Sequence, residues 1–240
     1  MLAAAGNNPV VSNESHREPA PGGGAPSAGS SDRSRSPSVP PTYLNANRLW
    51  VDSRVRALVQ RRVEAPVLLG LGGRVDGGRV LELGPGRRGT GLRLALDLFG
   101  AARAEGVERY AASVVACREA VRDLGPRVEV AAGDATRLAA SDAGYDAVFG
   151  YHVLHHAVAW RDAVREAARV LRPGGRFYSC EMTARFVDSR PLRAVSHHPA
   201  DGDRPTPEGI ASACEDAGLT VVAQDTRLAG CWTALVATRT

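Results

Sequence analysis

The stretch Val80-Leu81-Glu82-Leu83-Gly84-Pro85-Gly86-Arg87-Arg88-Gly89-Thr90-Gly91 runs an apolar strand into a glycine-dense turn that opens a helix. Glycine takes positive φ without steric cost, and with no Cβ it lets main chain approach a nucleotide-like group. The helix that follows presents free N–H groups to such a group. A glycine turn in a βα unit also serves purely steric ends, so its meaning rests on what lies further along the chain.

Outward from this turn the apolar pattern alternates. Arg79 to Leu83 reads as a strand, Gly91 to Phe99 as a helix closed by Gly100, Ala104 to Glu108 as a strand, and Ala112 to Leu124 as a helix ended by Gly125-Pro126. Val128 to Ala132 and Ala147 to Tyr151 read as further strands. Trp160 to Leu171 reads as an amphipathic helix stopped by Pro173-Gly174-Gly175, and Arg176 to Glu181 as a strand. This βαβα order predicts a parallel sheet with helices on both faces. The end of the chain breaks the alternation: a helix over Pro207 to Ala217, then strands at Thr220 to Ala223 and Trp232 to Ala237 joined by a short connection, which makes them antiparallel neighbours. Upstream, a helix is expected from Leu44 to Val63 with Pro66 after its end, followed by a short apolar segment from Val67 to Leu71.

The 240 residues allow ample core. Residues 1–41 are Gly, Pro, Ser and Ala with scattered charge, too poor in apolar area to offset ordering entropy, and are expected to be a disordered tail. The remainder, 42–240, is read as a single domain with 42–78 as an N-terminal helical cover. No apolar run resembles a signal peptide or a membrane span, so a cytoplasmic protein without membrane contacts is the expectation. All thirty basic residues are arginine and the net charge is +4. Arg54, Arg56, Arg61 and Arg62 are dispersed without interleaved aromatics, which favours a solvated helix face over a nucleic-acid footprint. The lack of lysine together with abundant Ala, Gly, Val and Arg points to a G+C-rich coding sequence. Cys117, Cys180, Cys214 and Cys231 show no CxxC pairing or His-Cys clustering in sequence, so buried free thiols and no metal are expected.

Four motifs in order, Glu82-Leu83-Gly84-Pro85-Gly86, Gly106-Val107-Glu108, Gly133-Asp134-Ala135 and the block from Asp146 to Gly175 with its Leu-Arg-Pro-Gly-Gly turn, resemble the class I S-adenosylmethionine-dependent methyltransferases. Within them the chain is most similar to the small bacterial methyltransferase-domain subgroup that includes UbiE. The resemblance covers roughly Arg48 to Arg239. It implies a Rossmann-like, seven-stranded, mostly parallel sheet with helices on both faces and a C-terminal antiparallel hairpin. It also implies a transferase of biosynthetic metabolism that uses S-adenosyl-L-methionine and releases S-adenosyl-L-homocysteine.

The resemblance further implies that Gly84, Gly86 and Gly89 let the loop pass the cofactor's amino acid and ribose, and that Glu82 steadies that loop. Glu108 would hold the ribose diol, because an ionised carboxylate accepts from both hydroxyls at once. Asp134 would accept from the adenine amine with the Ala135 N–H facing a ring nitrogen, and Gly150 and Tyr151 would line the methionine end. Read without the resemblance, Glu108 could be a surface carboxylate and Asp134 a turn or N-cap residue. The 24-residue step from Gly84 to Glu108 suits one strand-helix-strand unit. The loop departs from the family pattern at Arg87 and Arg88, one residue more than expected before Gly89, and either guanidinium could bring a charge to the methionine carboxylate.

His152, His155 and Glu181 are the candidate bases at the carboxyl edge of the sheet. The histidines could instead cap the following helix. His197 and His198 fall in a loop. Tyr43, Asn47 and Trp50, the segment Thr183 to Arg204, and Trp232 could close the site. The short stretch between Glu181 and Pro207 and the absence of an Asn-Pro-Pro-Tyr type tetrad favour a small-molecule acceptor, a metabolite or natural-product intermediate, over nucleic acid. A protein that binds S-adenosylmethionine without transferring methyl, or a cyclase-like enzyme, is the alternative; the oligomeric state is not legible.

Overall fold

The computed structural model describes residues 53–190 and 203–240. The tail expected over 1–41, Tyr43, Asn47, Trp50, His197 and His198 lie outside the described residues.

Seven strands form one sheet in the order β3-β2-β1-β4-β5-β7-β6. They are β1 Arg79–Leu83, β2 Arg103–Glu108, β3 Val128–Ala132, β4 Tyr145–Tyr151, β5 Leu171–Met182, β6 Leu219–Arg227 and β7 Trp232–Arg239. The first five run parallel, whereas β7 pairs antiparallel with both β5 and β6. The expected terminal hairpin is present, with β7 inserted inside β6. Because β1 lies between β2 and β4, the chain order reverses beside it, and the glycine turn leaves the sheet at that switch point.

Alternate residues of a strand point to opposite faces, so each central strand feeds two cores. Phe149 and Tyr178 go to one face, where they stack at 4.7 Å and Phe99 packs edge-on to both. Their neighbours Val148 and Phe177 go to the other, against Trp160, Val164, Leu171 and Ile210. Helices α3 Thr90–Asp97, α4 Ala111–Ala120, α5 Trp160–Val170 and α7 Pro207–Asp216 match their sequence readings to within a few residues, and a short α6 covers Ala184–Val187. The largest shortfall is at Leu124, where the tighter turn Arg122–Arg127 replaces the end of α4.

Pro66 does not end the first helix. The chain is helical through α1 Arg54–Val59, a π-type turn over Gln60–Glu64, and α2 Ala65–Gly72. Proline lacks an N–H and its ring presses on the carbonyl four residues back. Here the Ala65 N–H bonds to the Gln60 carbonyl, five residues back, and this widened turn accommodates the ring. The apolar stretch from Val67 to Leu71 is therefore a continuation of that helix, docked where the Tyr178 hydroxyl donates to the Gly72 and Gly73 carbonyls at 3.0 Å each. The π turn buries Gln60 and Glu64, which an unbroken helical stripe would not have singled out.

Candidate active site

In the parallel part of the sheet the loops after β1, β2, β3, β4 and β5 all leave from one edge, as the registers Leu83 with Val107, Leu83 with Gly150, Glu108 with Ala132 and Tyr151 with Cys180 require. Ligands of open α/β sheets bind there.

The loop after β1 has positive φ at Gly84, Gly86 and Gly89. Their roles differ. A Cβ at Gly86 would meet nothing within 4 Å, whereas one at Gly89 would stand 2.5 Å from Val121 Cγ1 and 3.0 Å from Cys117 Sγ. Gly86 thus borders open space, and Gly89 lets the loop dock on α4. Arg87 reaches toward the Ala112 carbonyl at 3.4 Å. Glu82 is buried under the start of α3: the Leu92 N–H donates to it, and a Cβ at Gly91 would fall 2.0 Å from its Oε1. Removal from water pushes this carboxyl up to about 8.

Glu108, at the end of β2, is buried and ties two loops together. One oxygen accepts from the Gly86 N–H at 3.2 Å and the other from the Tyr110 N–H at 3.0 Å. Asp134 sits in a turn of its own making, its Oδ1 accepting from the Thr136 N–H at 2.9 Å and hydroxyl at 2.7 Å. Those two bonds hold it below the usual carboxylate range. Ala135 follows, half-buried.

Beyond β4 lies a polar cluster. His152 has φ of 57°, a strained conformation for a residue with a Cβ, locked by its N–H donating to the Cys180 carbonyl at 2.8 Å. Its Nε2 is 2.9 Å from Glu64 Oε1. His155 Nδ1 is 2.7 Å from Glu181 Oε2, and Glu181 Oε1 accepts from the Val153 and Leu154 N–H groups at 2.8 and 2.9 Å. Burial pushes Glu181 up to about 7, against the opposing pull of His152 and these donors. The structure therefore brings His152, His155 and Glu181 together. Trp232 is buried against the sheet, with the Arg227 guanidinium 5.6 Å from its ring centroid.

Glu64 was not singled out from the sequence, and Arg56, expected on a solvated helix face, is instead largely buried because it pairs with Glu64 inside the fold. They form an ion pair at 3.0 Å with both side chains largely buried. Glu64 is marked by its contact with His152, just beyond β4, and nothing local in the sequence signals that contact.

The fit to an amino-acid-bearing nucleoside can be tested on buried atoms without partners. Arg56 Nη1, Glu82 Oε2 and the Tyr151 hydroxyl lack hydrogen-bond partners. Arg56 and Glu82 each lie within electrostatic reach of Tyr151 and of one another. A cationic donor, a neutral donor and a carboxyl together match the carboxylate and ammonium of an amino acid, while Glu108 and Asp134 stand at successive strand ends for a ribose and a base. The residues present fit S-adenosylmethionine.

Residues 81–179 match the family model described as "Methyltransferase domain". Among curated proteins the chain is similar to a demethylmenaquinone methyltransferase of Mycolicibacterium paratuberculosis, 49% identical over 57 residues, which is 24% of this chain and 25% of that protein. It is also similar to a fatty-acid O-methyltransferase of Mycolicibacterium smegmatis, 33% identical over 125 residues, covering 52% of this chain and 44% of that one. The matched region spans less than half the length of either relative. Among solved structures it is similar to an O-methyltransferase family protein from Burkholderia thailandensis, with a TM-score of 0.64 and 25% identity over 81% of this chain and 60% of that one. Residues 81–179 thus match the methyltransferase domain, and the seven-stranded fold is similar to that of a methyltransferase of known structure. Among the described residues no helix is long and apolar enough to cross a membrane.

Proposed function

We propose that this chain is a class I methyltransferase that moves the methyl group of S-adenosylmethionine to a small-molecule acceptor by in-line displacement, leaving S-adenosylhomocysteine. The observation that carries the reading is Glu108: a buried carboxylate at the end of β2 whose oxygens hold the glycine loop and the Tyr110 backbone, as a diol-binding group placed beside that loop requires. Bound there, the cofactor supplies a methyl group on a sulfonium. The chain's own residues do the rest. Arg56 and Tyr151 take the methionine carboxylate, Glu82 lies beside the ammonium and steadies the loop, Gly84 and Gly86 admit the ribose, and Asp134 with the Ala135 N–H selects the base. Gly150, through its missing Cβ, and Tyr151 shape the methionine end.

His155 is the base in this reading, with Glu181 as its positioning residue. Glu181 is fully buried, and its donors come from both the backbone of residues 153–154 and the imidazole. It fixes the ring without reaching the acceptor itself. His152 is less suited, because its Nε2 is engaged by Glu64. Orientation of the reactants is worth roughly 7–11 kcal/mol in such displacements, and a positioned base about 10²- to 10⁴-fold in rate. The names of the two relatives, one acting on demethylmenaquinone and one on fatty acids, support a small acceptor.

The test is calorimetric titration of S-adenosylmethionine, S-adenosylhomocysteine and NAD into the wild type, Glu108→Ala and Asp134→Ala. Saturable binding of the first two, lost in both variants, with no NAD binding, is the expected result. NAD binding instead would overturn it. Methyl transfer to lipid-like quinol and fatty-acid acceptors should then fall at least a hundredfold in kcat in His155→Gln, with cofactor affinity unchanged. Cofactor binding without transfer to any acceptor would favour a non-methylating role.

A further inference from the structure

Glu64, His152 and Cys180 are 88 and 28 residues apart in sequence, yet the fold gathers one donor atom from each within 4.8 Å of the others. His152 Nε2 lies 2.9 Å from Glu64 Oε1 and 3.8 Å from Cys180 Sγ. A tetrahedral ion with bonds of about 2.0–2.1 Å to nitrogen and oxygen and about 2.3 Å to sulfur holds its donors roughly 3.3–3.6 Å apart. These two spacings bracket that separation and the third, between Glu64 and Cys180, is within 4.8 Å, so an ion enters with shifts of no more than about an ångström. We propose that Glu64, His152 and Cys180 form a binding site for a thiophilic divalent cation of the zinc class.

Each donor is held by a different element. Glu64 is turned inward by the π turn, a feature often found at functional sites. Its second oxygen is paired with Arg56 at 3.0 Å, which leaves Oε1 for the ion. His152 is held in its strained conformation by the backbone bond to Cys180, the very residue that supplies the sulfur. The Tyr151 hydroxyl, buried and without a partner, lies within electrostatic reach of both Glu64 and Cys180. It is suited to accept a hydrogen bond from a water in the fourth position, which three protein ligands leave open.

A second group, His152, His155 and Glu181, shares the same imidazole. It is the weaker cation site, because Glu181 Oε1 is already held by the Val153 and Leu154 N–H groups and the set holds no sulfur. A set of thiolate, imidazole and carboxylate selects zinc-like ions over magnesium or calcium. Binding forms the metal–sulfur bond as the S–H bond of Cys180 breaks, with the proton passing to solvent. No spacing motif betrays this site, because its ligands come from three separated segments.

The experiment uses the full, untagged chain, stripped with chelator and titrated with Co²⁺. One ion per chain should bind, with a thiolate-to-cobalt charge-transfer band in the near ultraviolet. Cys180→Ser should abolish the band, and His152→Gln should weaken uptake at least a hundredfold. Glu64→Gln keeps a hydrogen-bonding partner for His152 but removes the anionic ligand, and should weaken uptake at least tenfold with the fold intact. Cys231→Ser should leave spectrum and affinity unchanged. Absence of stoichiometric uptake, or a band that survives Cys180→Ser or disappears in Cys231→Ser, would overturn the proposal.

Discussion

Replacing Glu82 by glutamine should make the protein's stability respond differently to pH, and the size of the difference follows from burial. The carboxyl has an ordinary value of 4.5 and is raised to about 8 in the folded chain by desolvation, against the Leu92 N–H and Arg56, which favour the ionised form. The folded state therefore keeps a proton that the unfolded state releases. Stability carried by this group is complete below the unfolded value, declines between pH 4.5 and about 8, and is level above that. One proton corresponds to about 1.4 kcal/mol per pH unit, so the loss between pH 4.5 and 7 is on the order of 3 kcal/mol. Glutamine has nearly the shape of the protonated acid and cannot ionise, so Glu82→Gln removes this decline. Denaturant unfolding of both proteins from pH 5 to 8.5 measures it, and other titrating groups cancel in the difference. The variant should gain on the wild type by a few kcal/mol toward alkaline pH. A difference that stays flat across this window would refute the reasoning, since it would mean that Glu82 is ionised in the folded chain.

Gly91→Ala should destabilise the fold by roughly 1–3 kcal/mol or more, because the new methyl falls 2.0 Å from Glu82 Oε1 in a packed interior; thermal unfolding reads it. Gly86→Ala and Gly89→Ala form a matched pair, with both residues at positive φ. The first meets open space and should lose only about 1–2 kcal/mol of backbone strain while weakening cofactor binding, whereas the second also drives into Val121 and should lose more stability; denaturation and calorimetry together separate them. Glu105, despite burial that raises it, is held below the usual range by hydrogen bonds from Arg79 and Tyr145. Its contribution is fully present above pH 4.5 and is lost on acidification, so Glu105→Gln should flatten the acid limb of the stability profile by about 1 kcal/mol or less at this half-exposed site.

The strands were legible because most are short β-rich runs set between helix and turn signals, and the parallel sheet with its antiparallel end followed from the alternation with helices and its break near the end of the chain, whereas the strand order did not. The positions of Glu82, Glu108 and Asp134 near the ends of β1, β2 and β3 were legible because the glycine turn and the strand-helix spacing help to locate them. Pro66 misled, since a proline ordinarily stops a helix and the compensating π turn depends on packing that no local pattern records. Glu64 and Arg56 stayed silent for the same reason: on a helix rich in arginine they read as solvated charge.

Local chemistry by itself determined the βα order, the glycine loop and the resemblance to the methyltransferases, because apolar period and turn residues act over a few positions along the chain. Only the tertiary structure decided which polar groups are buried together. The Glu64–His152–Cys180 cluster, the His155–Glu181 pair and the raised carboxyl of Glu82 arise when helix and strand ends from distant parts of the chain are desolvated against one another. Desolvation depends on everything that packs around a group, and not on its neighbours in sequence.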